Sequence, residues 1–172
     1  MALWLEIRKA LGQPEYVHVL LNPLPIYGLA GGLFAYLAAL AARSRPAQAL
    51  ALSLILAAAA SAWPVAHFGH AAYDRVYSMS GAPARAWLNW HQNLAQRALW
   101  ACTATALLSA AGLGCLWKAP RRYPVLASAA VASAVASLTL SGLCGFAAGK
   151  IRHSEFRSGP PPAWADTSSD ED

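Results

Sequence analysis

AQALALSLILAAAASAWPVAHF, residues 47–68, decides the fold, because all 22 of its residues pass without one charged side chain. A helix needs about 20 mostly apolar residues to cross the hydrocarbon of a bilayer. Three further stretches meet that requirement. VHVLLNPLPIYG to AALAA covers 17–42, ALWACTATALLSAAGLGCLW covers 98–117, and YPVLASAAVASAVASLTLSGLCGFAAG covers 123–149. The third helix is expected to start earlier, near Pro83, with the amphipathic turns WLNWHQNLAQR standing above the bilayer. The fold predicted is all-α, a four-helix transmembrane bundle over residues 17–157.

Composition agrees. The 172 residues are 57% hydrophobic and 12% charged, against about 25% charged in a soluble domain. ArgSerArgPro (43–46) joins spans one and two, and LysAlaProArgArg (118–122) joins spans three and four. Both loops are short and carry cations but no acid, which predicts a cytoplasmic position for them. Both termini and the 69–88 loop are then extracytoplasmic, in a bacterial inner membrane. Net charge of +5 belongs to these block ends and does not indicate nucleic-acid binding.

Outside the spans, residues 1–16 read as an interfacial amphipathic segment, since Trp4, Leu5 and Leu11 alternate with Glu6, Arg8 and Lys9. They lack the pattern of a secretory signal. The tail from 158 to 172 is Pro-rich and then acidic, and is expected to stay disordered. Cys102, Cys115 and Cys144 lie inside apolar blocks and form no disulfide framework. Trp63, Tyr73, Tyr77, Trp87, Trp90 and Trp100 read as an aromatic belt on one side, with Trp117 and Tyr123 on the other. Gly28-xxx-Gly32 and Gly145-xxx-Gly149 predict close helix approach. Pro23, Pro25 and Pro64 loosen the outer helix ends.

The histidines carry the chemistry. His18 opens span one, His67 closes span two with His70 a turn further on, His91 precedes span three and His153 follows span four. In an up-down-up-down bundle these positions share one face, so residues far apart in sequence become one layer. Two kinds of site would use it. A single zinc, copper or iron ion needs three or four converging ligands, which His18, His91, His153 and His70 could supply. Haem b needs one or two axial histidines and a cavity between helices, and His67 joins the candidates. Asp74, four residues after His70, and Glu155, beside His153, are candidate partners for ligating imidazoles, and Asn22 completes that outer set. Apart from Arg97, the spans contain no ionisable Asp, Glu, Lys or Arg, which argues against a proton pump or a transporter of charged solutes.

VHVLLNPLPIYGL (17–29), WPVAHFGHAAYDRV (63–76), WHQNLAQRA (90–98) and GKIRHSEFR (149–157) together resemble a group of bacterial four-span membrane proteins of unassigned function. That group has histidines at the positions of His18, His91 and His153. Its first motif usually reads His-x-x-x-Asn-His-x-Pro, whereas here Asn22 is followed by Pro23. Related domains occur beside c-type cytochromes and Rieske iron–sulfur proteins. The resemblance therefore implies a subunit that binds haem b, or a metal ion, at its extracytoplasmic face and exchanges electrons with a cytochrome c or iron–sulfur partner. The rival expectation is a cofactor-free assembly subunit of a membrane complex. No nucleophile or metalloprotease motif marks the chain as an enzyme.

Overall fold

The computed structural model describes residues 1–162. Among them the architecture is helical throughout, with no strand. The elements are α1 (Ala2–Leu11), α2 (Pro14–Leu21), α3 (Pro23–Ala41), α4 (Arg45–Ala60), α5 (Ala62–Ser78), α6 (Ala82–Lys118) and α7 (Tyr123–Arg152), followed by a single 3-10 turn over Ser154–Phe156.

These helices make four spans: Pro14–Ala41, Arg45–Ser78, Ala82–Lys118 and Tyr123–Arg152. The first span begins at Pro14 rather than at residue 17, because proline at the first helical position gives up only an N–H that the helix would leave unpaired anyway. Helices α2 and α3 join at Asn22, and α4 and α5 at Ser61, without a loop. Both junction residues keep right-handed helical backbone angles, so each pair continues as one interrupted span. The interruptions lie beside Pro23 and near Pro64, where the missing N–H breaks the ladder. At 37 residues, α6 is roughly 55 Å long, well beyond the ~30 Å of bilayer hydrocarbon. Its leading turns therefore project from the apolar layer.

The faces show what surrounds the bundle. Leu29, Leu52, Ile55, Cys102 and Leu116 are fully buried between helices, while Phe34, Leu37, Leu50, Trp100, Leu107 and Val125 are exposed. An outward surface this apolar is costly in water and natural against acyl chains. This is a multi-pass membrane protein. Helix α1 buries none of its residues, and it presents Leu3, Trp4, Leu5 and Leu11.

Small residues set the closest helix contact. A Cβ on Gly28 would lie 2.7 Å from the Ala58 Cβ, and one on Gly32 would lie 2.8 Å from the Ile55 Cγ1, so α3 seats directly on α4. The second glycine pair does not act this way. A Cβ at Gly145 would meet Ile26 at an ordinary 3.6 Å, and nothing lies within 4 Å of one at Gly149. Helices α6 and α7 are held instead by a polar seam, where the Thr105 hydroxyl bonds the Ser133 and Ser137 hydroxyls at 2.7 and 2.9 Å. Such bonds join membrane helices because hydrocarbon offers no other partner.

The expected aromatic belt is partly core. Trp63, Trp100 and Trp117 are exposed, but Trp87 and Trp90 are 4% exposed and pack at 5.1 Å between ring centres. Tyr123 is buried because its hydroxyl has two partners inside the bundle, Tyr36 and Gln48. Residues 158–162 carry neither helix nor strand, and the remainder of the tail, 163–172, lies outside the described residues.

The α3–α4 turn is closed in an unusual way. The Ser44 N–H bonds the Ala39 carbonyl and the Arg43 N–H bonds the Leu40 carbonyl, the paired bonds of a Schellman helix end. That motif places its second-last residue in the left-handed region, where glycine is normal. Here the residue is Arg43, at φ 50°, at a cost of about 1 kcal/mol.

Candidate functional site: a histidine-lined cavity

At the end of the bundle opposite the basic loops, α2, α5, α6 and α7 border a half-open cavity of about 690 Å³. Its wall includes His18 and Asn22 from α2, Gly69 and His70 from α5, His91 from α6, and Cys144 and Arg152 from α7. Volumes of this order are typical of cofactor and small-molecule sites.

Two histidines are built into this wall. The Nδ1 of His18 lies 2.9 Å from the Val65 carbonyl oxygen, and the Nδ1 of His91 lies 2.9 Å from that of Cys144. A carbonyl only accepts, so each Nδ1 carries the proton and donates. That fixes the tautomer and leaves each Nε2 with its lone pair. A backbone carbonyl orienting the far nitrogen is the support usually given to a ligating imidazole. The ring centres are 6.2 Å apart with planes at 90°.

Gly69 makes room for this arrangement. A Cβ there would stand 2.9 Å from both Cε1 and Nδ1 of His18. Gly69→Ala is therefore expected to push the His18 ring off the Val65 carbonyl, with the loss of about 1 kcal/mol of stability and an altered His18 environment. The imidazole resonances of the purified protein report this by NMR. Unchanged His18 shifts in the variant would contradict the placement.

The other candidates separate. His70 lines the same cavity, but no hydrogen bond joins it to Asp74 among the described residues. His67 is absent from the wall and packs edge-on against Phe68 at 5.3 Å. His153 is also outside. Helix α7 ends at Arg152, and His153 leaves it with extended backbone. Its ring turns to Glu155, at 3.0 Å, and to Phe156, with half of the side chain exposed. Glu155 is solvated; its own backbone N–H and the His153 ring hold its carboxyl below the usual range. Among the described residues no three His, Cys, Asp or Glu side chains converge as a metal ion would require, so the expected layer resolves into a close pair plus His70.

In the fold Lys150 is 8% exposed and its ammonium lies 4.9 Å from the Trp87 ring centre and 4.8 Å from that of Phe146, a desolvated cation–π contact. Arg157 donates to the Lys150 and Ile151 carbonyls at 2.6 and 2.7 Å, closing the end of α7. The GKIRHSEFR segment thus terminates a helix and braces the wall behind His91. Arg75 is paired with Glu15 at 2.6 Å and ties α5 to α2.

Comparison with protein families, with curated proteins and with solved structures finds no match to this chain.

Proposed function

We propose that the protein is a redox-associated membrane subunit that holds haem b between His18 and His91. The observation carrying this reading is the pair of imidazoles, each with Nδ1–H committed to a backbone carbonyl, their centres 6.2 Å apart on one cavity wall. The residues fit the group. The wall combines alanines and valines with Arg152, Gln92 and Gln96, which suits an apolar macrocycle with anionic carboxylates at one edge. A site for a single zinc or copper ion is less well supplied, because it needs more donors than the pair provides.

His18 and His91 would hold the haem, which would supply one-electron transfer. The chain's own contribution is to orient the imidazoles and exclude lipid. On this reading the histidine end faces outward from the cytoplasm, where a cytochrome c or iron–sulfur protein exchanges electrons. The test is a dithionite-reduced minus oxidised absorption spectrum of detergent-purified protein made with ample haem. Sharp α and Soret bands are expected; a flat spectrum would remove haem.

A second reading has its own support. The same bonds fasten α2 to α5 and α6 to α7 without any cofactor, as a structural assembly subunit would need. A flat spectrum together with loss of stability in both histidine variants would favour it.

A further inference from the structure

A second pocket, of about 590 Å³, opens at the opposite end of the bundle, between the two basic loops. Arg43 and Arg45 line it, with Gln48, Tyr36 and Tyr123. Among the described residues neither guanidinium has an acidic partner. The polar groups behind them are ordered: Tyr36 donates to the Tyr123 hydroxyl at 3.0 Å, and Tyr123 donates to the Gln48 Oε1 at 2.9 Å. With its oxygen accepting from Tyr123, the Gln48 amide keeps its N–H donors to offer. The result is two cations and an amide donor at the level of a span's end.

Arg43 adds a separate argument. It occupies the left-handed position of the Schellman turn, where glycine would relieve the backbone. A strained arginine in a three-residue loop points to a side chain needed for what it binds. We propose that this pocket seats the phosphate of an anionic phospholipid. Basic pockets between helix ends recognise such headgroups, and Arg matches phosphate oxygens through paired N–H donors. The site is independent of the histidine cavity.

The test is native mass spectrometry of the full chain in detergent with added phosphatidylglycerol or phosphatidylcholine. One phosphatidylglycerol is expected to be retained in preference to phosphatidylcholine. Arg43→Gln with Arg45→Gln should lower that retention by about 30-fold, while Lys118→Gln with Arg121→Gln, outside the pocket wall, should change it less than about twofold. Arg43→Gly should bind less yet melt at higher temperature, which separates binding from folding. Equal loss in both double variants, equal retention of the two lipids, wild-type binding by Arg43→Gly, or displacement by millimolar inorganic phosphate would each overturn the proposal.

Discussion

Replacing His91 with alanine is expected to abolish the haem spectrum while the four spans stay folded. The variant removes one of the two imidazoles and the bond from Nδ1 to the Cys144 carbonyl, a loss of about 1–2 kcal/mol. Trp87, Trp90, Leu94 and Ala147 still pack the neighbouring core, so α6 and α7 should remain paired. His18→Ala should give the same spectral loss, since it removes the other side of the pair. His153→Ala should leave the spectrum intact, because that ring faces Glu155 and Phe156 rather than the cavity. Haem content per chain, measured as the pyridine complex, checks all three. Full retention in both His18→Ala and His91→Ala would contradict the ligand pair, and loss in His153→Ala would restore the wider layer.

Gly32→Leu should be the most damaging change in the membrane core. The first added carbon would meet the Ile55 side chain at 2.8 Å and its backbone nitrogen at 3.2 Å. A side-chain tip can turn aside, but backbone cannot, so α3 must move off α4. Overpacking of this kind costs about 3 kcal/mol or more. Gly31→Ala is the matched control. Nothing lies within 4 Å of its added Cβ, and the gain in helix propensity should stabilise by up to about 1 kcal/mol. Unfolding by sodium dodecyl sulfate measures both. A Gly32→Leu protein as stable as its parent would rule out the α3–α4 contact described above.

The spans could be read from sequence because hydrocarbon imposes its condition on every residue: 22 uncharged residues in a row leave one solution. Which histidines converge was harder. Successive helix residues turn by about 100°, so sharing an end of the bundle does not mean sharing a face. His18 and His91 face each other because Gly69 admits the first ring and the Cys144 carbonyl holds the second. The glycine was visible beside His70, but its partner in space was not. His153 keeps the acid that the sequence sets beside it, Glu155, but the extended backbone after Arg152 turns the pair away from the cavity. Trp87 and Trp90 read as belt residues on side-chain type alone; their burial between α6 and α7 depends on helix rotation, which composition does not encode. Gly145 and Gly149 carried the same small-xxx-small signal as Gly28 and Gly32, yet only the first pair meets a helix closely.

Low-temperature electron paramagnetic resonance of the oxidised, purified protein tests the central claim most directly. Two imidazole nitrogens on one ferric haem impose a strong axial field, so the protein should give a low-spin signal that disappears in both His18→Ala and His91→Ala. A purely high-spin haem signal, or no haem signal from protein made with ample haem, would contradict the assignment of His18 and His91 as a ligand pair.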